Sequence, residues 1–186
     1  MNIQDFDIFK KIPSLKTERL ILRKIEKSDL DDIFEYSSDP EISKYLLWSK
    51  HENKRVTKRY LSDVLKKYKN GQFYDWAIEL DGKMIGICGF SRIDVLNDSA
   101  EAGYIVARPY QGRGIASEAL KAVLEFGFNV LQLSVIKCIS FEENAASRAV
   151  MKKCGMKEEG VIKNYTFQKE TVRNAVIASI TKEEMP

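Results

Sequence analysis

The sequence predicts a mixed α/β domain with the element order βααβββαβαββ. Three observations carry this: two strand-like runs joined by Asp81-Gly82, a glycine-bearing loop from Arg108 to Ala116, and a switch after that loop from two-residue to three-and-four-residue apolar spacing. At 186 residues with 44% hydrophobic side chains, the chain can bury one sizeable core and is short for two. A single domain over 1–186, with its core at about 15–180, is expected.

Taken in order, Arg19 to Ile25 alternates apolar and basic residues as a half-buried strand does, and Ser28-Asp29 then suits the cap of a helix running to Tyr36. Asp39-Pro40 ends that helix. A second helix covers about Asn53 to Lys69 and stops at Asn70-Gly71. Phe73 to Leu80 and Lys83 to Phe90 form a hairpin, because Asp-Gly tolerates the positive backbone angles of a tight turn. Ala100 to Ala107 extends the same antiparallel sheet. From Gly114 onward Ala116, Leu120, Val123, Leu124, Phe128 and Leu131 recur at helical spacing. Ser134 to Ser140 is a short strand, Asn144 to Lys153 a helix closed by Gly155, and Lys157 to Lys163 and Thr171 to Ile180 are strands around a polar turn.

Composition excludes several classes. Thirty Lys and Arg stand against 27 Asp and Glu, mixed along the chain, so nothing resembles a nucleic-acid tail. The densest basic stretch, Lys50 to Lys69, is interrupted by Tyr60, Leu61, Val64, Leu65 and Tyr68 at helical spacing and reads as the solvated face of an amphipathic helix. Cys88, Cys138 and Cys154 are widely spaced and read as reduced core thiols. The one histidine, His51, and the lack of CxxC or HExxH give a protein-bound metal no support. Met1 to Lys11 lacks the basic start and apolar stretch of a signal peptide, and no apolar run reaches the roughly 20 residues that span a bilayer. A cytoplasmic protein without membrane contact is expected.

The chemistry is concentrated in Arg108-Pro-Tyr-Gln-Gly-Arg-Gly-Ile-Ala116. A pyrophosphate needs several N–H donors converging on it; glycines let backbone approach closely, and a helix N-terminus supplies unpaired N–H groups with a favourable dipole. Arg113 can add a charge-assisted contact. The alternative is a glycine turn that only reverses the chain. The Gly-Lys-Ser/Thr of a nucleoside-triphosphate loop is missing, and the third glycine of a dinucleotide fingerprint falls on Ser117.

Gln111-x-x-Gly114-x-Ala116 resembles the Q/R-x-x-G-x-G/A signature of the GNAT superfamily of N-acetyltransferases. Thr17-Glu-Arg-Leu-Ile-Leu-Arg23, Glu101-Ala-Gly-Tyr104, Asn144-x-x-Ser147 and Lys153-Cys-Gly-Met156 are similar to the branch containing RimJ and RimL, which acetylate N-termini of ribosomal proteins. The resemblance runs from about Leu15 to Ile180. It implies a mostly antiparallel sheet splayed between its fourth and fifth strands, flanked by helices, with acetyl-CoA as cosubstrate in the gap. It further implies that the backbone of Ile105, Val106 and Ala107 pairs with the pantetheine arm and that the N–H groups of Gln111, Gly112, Arg113, Gly114, Ile115 and Ala116 hold the pyrophosphate. Asn144 bonds the cofactor arm by the same token, a plain N-cap being the alternative.

Acetyl transfer requires removing a proton from an amine, holding an oxyanion and protonating a thiolate. Glu101 is the candidate base, through water, with an exposed strand carboxylate as the alternative. An α-amino group with pKa near 8 asks little of a base, whereas a lysine near 10.4 lies roughly 3 units from neutrality, about 4 to 5 kcal/mol. Many superfamily members protonate the thiolate with a tyrosine, but the matching residue here is Met151. In the RimL-like branch the serine three after the asparagine lies near the sulfur, which makes Ser147 the candidate donor, with helix support as the alternative. A glutamate some RimL-like enzymes carry falls near Thr166 here, which argues against a ribosomal substrate. Tyr165 and Phe167 are candidates for walling the acceptor pocket, packing being the alternative.

The leading expectation is therefore acetylation of a peptide N-terminus or a small amine. A tailoring or resistance enzyme acting on a polyamine, amino acid or aminoglycoside is the runner-up, and an acidic pocket would favour it. A non-catalytic acyl-CoA sensor and a nucleotide-binding module are the readings from other classes. Both monomer and homodimer are compatible with the resemblance.

Overall fold

The computed structural model describes residues 9–72, 74–168 and 171–185. Its strands are β1 Leu15–Lys16, β2 Ile21–Arg23, β3 Tyr74–Leu80, β4 Lys83–Asp94, β5 Ser99–Val106, β6 Val135–Phe141, β7 Lys157–Gln168 and β8 Thr171–Thr181. The helices are α1 Leu30–Ser37, α2 Pro40–Ser43, α3 Lys54–Lys69, α4 Ile115–Asn129 and α5 Ala145–Lys153. Among the described residues the strands form one sheet in the order β1-β2-β3-β4-β5-β6-β8-β7, antiparallel except for the β5–β6 pair.

The opening strand differs from expectation. Instead of one run from Arg19 to Ile25 there are two short strands, because Thr17 reverses the chain: its N–H donates to Leu20 O at 3.0 Å and its hydroxyl oxygen accepts from Leu20 N at 2.9 Å. Asp39-Pro40 ends α1 and also starts α2, since Asp39 caps Glu41 N at 3.0 Å while proline fits a first helical position. Asp29 caps no helix through its side chain in α1. It is a buried carboxylate gripped by both terminal nitrogens of Arg23 at 2.8 and 2.9 Å. Phe73 and the turn at 169–170, which bounded two of the expected strands, lie outside the described residues, as do residues 1–8 of the N-terminal stretch.

The remaining elements follow their sequence signals, except that β4 runs on to Asp94 and β7 to Gln168, past the Phe90 and Lys163 expected. Asp81 and Gly82 take φ of 52° and 77° in the β3–β4 turn, the mirror-image conformation that matches strand twist. Asn53 caps α3 through its side chain, and the helix buries Leu61, Val64 and Tyr68 while its lysines face outward. The helix α4 lies across β4 and β6 so closely that a Cβ at Gly127 would meet Ile136 Cδ1 at 2.6 Å and Phe90 Cζ at 3.1 Å. Its Phe126 packs edge-on against Trp76 at 5.2 Å between centroids. This core of large, fully buried side chains fixes β3, β4 and β5 as a rigid platform.

One break in the sheet positions everything that follows. β5 and β6 pair only from Ser99↔Val135 to Ala102↔Cys138; past that point the two strands diverge and leave a wedge. In the numbering of the expected order this is the splay between strands four and five.

Candidate active site

The wedge opens into a cleft of about 1020 Å³ lined by β5, the loop after it, the start of α4, β6, α5 and the segment after α2. Antiparallel alternation decides which β5 groups reach it. Ala107 N donates to Ile85 O at 2.8 Å, so residues 103, 105 and 107 turn their backbone groups toward β4, and Tyr104 and Val106 turn theirs into the wedge. A Cβ at Gly86 would collide with Ile105 O, which agrees with this orientation. Of the three residues expected to pair with a pantetheine arm, Val106 alone offers a free N–H there, since its carbonyl accepts Gln111 Nε2 at 2.8 Å. Tyr104 supplies the other open donor and acceptor.

The loop is built as a receptor for an anion. Arg108–Tyr110 forms a 3-10 turn, and Gly112 and Gly114 follow with φ of 72° and 79°, a region costly for any residue with a Cβ. Gly114 is the N-cap of α4, so the N–H groups of Ile115, Ala116 and Ser117 have no partner within the helix. Two cations stand over it: an added Cβ on Gly114 would lie 3.5 Å from Lys153 Nζ and 3.6 Å from Arg19 Nη2. Arg19 also donates to Arg113 O at 3.1 Å and pairs with Glu118, whose Oε1 accepts from Thr17 Oγ1 at 2.5 Å and Arg19 N at 3.0 Å. Burial opposes the charge on Glu118, but these hydrogen bonds outweigh it and hold the carboxyl below its usual range. The Thr17-Glu-Arg segment thus pins the loop and α4 from across the molecule. Arg113 itself leans on the Tyr110 ring at 5.7 Å.

Asn144 caps α5 with Oδ1, accepting from Ser147 N at 3.1 Å, and lines the cleft with its amide nitrogen available. Ser147 lines the cleft one turn further on. Its Oγ and its backbone oxygen both lie 2.9 Å from the Tyr104 hydroxyl. Burial pushes the Tyr104 phenol well above its ordinary value, with the Ser147 bond acting in the opposite sense, so it remains a proton donor. Met151 is buried in the core and takes no part in the cleft. The sequence did single out Glu101-Ala-Gly-Tyr104, but nothing local pairs Tyr104 with a residue 43 positions away.

The rest of the cleft lining is acidic and aromatic, with the Arg173 guanidinium stacked on the rings of Tyr45 at 5.7 Å and Phe141 at 5.0 Å. Glu101 accepts from Ser91 Oγ at 3.0 Å, Ser91 being the extra residue of a β-bulge in β4. Tyr165 lies beside it, its phenol raised by burial and then by the Glu101 charge. Phe167 has its backbone in β7 opposite Val172, and its side chain lies outside the described part of the structure. Glu41, Tyr45, Asp75 and Phe141 complete this lining; none was singled out from sequence. Cys138 also reaches the cleft, but burial raises its thiol far above neutrality, which leaves it unreactive.

A strand edge suited to an amide-bearing arm, a glycine loop suited to a pyrophosphate and a hydroxyl pair at the divergence point together define an acetyl-CoA-dependent N-acetyltransferase. The acetyltransferase (GNAT) domain model matches residues 19–157, and the chain belongs to that family. It is 33% identical over 174 residues to the uncharacterized N-acetyltransferase p20 of Bacillus licheniformis, covering 92% of this chain and 97% of p20. It is 28% identical over 156 residues to the spermidine N(1)-acetyltransferase of Escherichia coli K12, covering 83% and 82% of the two chains. The solved structure of the L7/L12 α-N-acetyltransferase RimL with coenzyme A superposes with a TM-score of 0.81 at 19% identity over 91% of this chain and 98% of that one, a likeness of fold. The protein accordingly transfers the acetyl group of acetyl-CoA to an amine. No helix among the described residues is long and apolar enough to cross a membrane.

Proposed function

We propose that the acceptor is a small cationic amine, a polyamine being the best fit, and that transfer proceeds by direct attack of the amine on the thioester. The observation that carries this is the set of carboxylates Glu41, Asp75 and Glu101 in the lining of one cleft, against which Arg173, stacked on Tyr45 and Phe141, is the cation beside its aromatic part. Three carboxylates favour a polycation over a peptide terminus, whose following residues are neutral on average. The 28% identity to a spermidine acetyltransferase supports the same class. The glutamate that some RimL-like enzymes carry falls near Thr166 here, which removes one argument for a ribosomal protein.

The Tyr104 and Val106 backbone groups and the Asn144 amide hold the pantetheine arm, and the loop N–H groups of 111–116 with Lys153 and Arg19 hold the pyrophosphate. Acetyl-CoA supplies an activated acyl carbon with a thiolate leaving group. The Tyr104–Ser147 pair delivers a proton toward the sulfur, and Glu101 and Tyr165 receive the cationic acceptor. We place the reaction in the cytoplasm, where the three free cysteines stay reduced.

Steady-state rates with acetyl-CoA against spermidine, putrescine and a peptide with a free N-terminus test the acceptor. We expect the highest kcat/KM with spermidine and a loss of that preference in high salt. A preference for the peptide at every ionic strength overturns the reading.

A further inference from the structure

The carboxyl group of Asp75 has no hydrogen-bonding or ion-pairing partner within the described protein, yet it sits on the rigid β3–β4–β5 platform and lines the acceptor end of the cleft. The register sets Asp75 opposite Gly89 and Gly89 opposite Gly103, one row across three strands. Neither glycine carries a side chain into this row. A Cβ on Gly89 would strike Asp75 Oδ1 at 2.6 Å, and one on Gly103 would meet nothing within 4 Å. The row is therefore a bare floor about 10 Å long, from the spacing of strands. It leads from the Asp75 carboxylate to the start of the wedge, where Tyr104 meets Ser147. Glu101 stands on the same face of β5, two residues before Gly103.

We propose that Asp75 receives the acceptor as an ammonium ion and takes one of its protons, so that the neutral amine attacks across the Gly89–Gly103 floor. The proposal rests on the acceptor being cationic, as argued above, and names the group that selects and deprotonates it. The protons balance as follows. The ammonium yields one to Asp75, which later passes it to water. The nitrogen lone pair forms the N–C bond, and the C–S bond breaks with its electrons on sulfur. Sulfur takes a proton from the Ser147–Tyr104 pair, which regains one from the new amide nitrogen, leaving one N–H on the product.

The surroundings suit this role. The groups interacting with Asp75 are the phenols of Tyr36 on α1 and of Tyr60 and Tyr68 on α3, the Cys88 thiol on β4, and Lys67 on α3. All but Lys67 are neutral near pH 7. Burial raises the Asp75 carboxyl to about 7, with Lys67 pulling weakly the other way. A base poised near the working pH combines adequate occupancy of its charged form with real proton affinity.

Asp75→Asn keeps the shape of the side chain and removes its basicity. With spermidine, or with the peptide if that is the amine turned over, we expect kcat/KM to fall about 10²-fold or more. The limb of the wild-type pH profile that rises through about pH 7 should vanish, and stabilisation by acetyl-CoA should persist. An aromatic amine already neutral at pH 7 should lose far less. Independently of turnover, the carboxyl carbon of ¹³C-labelled Asp75, assigned by the variant, should titrate near 7 and shift when spermidine is added. Gly103→Leu, which blocks the floor without touching Asp75, should raise KM for the amine and leave the titration in place. A variant with the wild-type pH profile, or a carboxyl signal that no amine moves, overturns the proposal. Spermidine rejected while a peptide still depends on Asp75 overturns only the polyamine reading.

Discussion

The Tyr104 hydroxyl lies 2.9 Å from Ser147 Oγ, joining the strand that borders the wedge to the helix that closes it. The phenol has a single proton, shared between the Ser147 carbonyl and Ser147 Oγ; when it is given to Oγ, that hydroxyl is free to offer its own to the cleft. Tyr104 thus lies against Ser147, the donor expected from the sequence, while Met151, at the position of the family's usual tyrosine, is buried away from the cleft. Ser147→Ala should lower kcat about 10- to 100-fold with little change in acetyl-CoA affinity, and Tyr104→Phe should act in the same direction. Because the two hydroxyls are bonded to each other, the double variant should be no worse than the poorer single one, measured as a double-mutant cycle on kcat.

Gly114→Ala should weaken acetyl-CoA binding through backbone strain, since φ is 79° at the N-cap of α4. A penalty of about 1–2 kcal/mol corresponds to roughly a 5- to 30-fold rise in Kd if it falls on the bound loop. Gly82→Ala has a comparable φ of 77° in the β3–β4 turn, remote from the cleft. It should cost similar stability and leave the Kd alone, as calorimetric titration of both variants would show.

Lys153→Met should raise the Kd for acetyl-CoA several-fold and flatten its dependence on salt, because Lys153 Nζ stands beside Gly114 without an ion-pair partner among the described residues. The amine KM should be unaffected. Titrations at low and high ionic strength separate the two effects.

Asp75→Asn should stabilise the fold at neutral and alkaline pH. In the native protein the carboxyl holds its proton up to about 7, against an ordinary value of 3.8. Between these limits the native state binds more protons than the unfolded chain, so stability falls as pH rises, and the full penalty is present above 7. The melting temperature of the variant should match wild type near pH 4 and exceed it by several degrees at pH 8.

Much of this was legible in the sequence because the signals are local. Asp81-Gly82, the cap at Asn144 and the apolar stripe of α4 each act within a few residues, and Gly112 and Gly114 mark the strand-to-helix loop by their spacing. The Thr17 turn was missed because Arg19 to Ile25 alternates convincingly as one strand, while a single threonine side chain breaks the run just before it. Asp75 was invisible for a different reason. In Tyr-Asp-Trp-Ala-Ile it reads as the polar half of a strand, and only the cross-strand register that places two glycines beside it turns it into a cleft residue. The Tyr104–Ser147 contact and the Arg19 bond to the loop likewise depend on tertiary distance, which no spacing rule encodes.

The four-residue ladder between β5 and β6 has a consequence for the molecule as a material. Past Ala102 the backbone groups of Tyr104 and the N–H of Val106 face no strand, so beyond that point continuity of the sheet would pass through the pantetheine arm we propose there. On that proposal coenzyme would be a piece of the protein's secondary structure that the cell supplies from outside. The arm that would fill the gap is the same whether or not it carries an acetyl group, so mechanical closure would survive each turnover. Depletion of the total coenzyme pool, rather than of its acetylated fraction, is what would leave the two halves of the sheet free to work against each other.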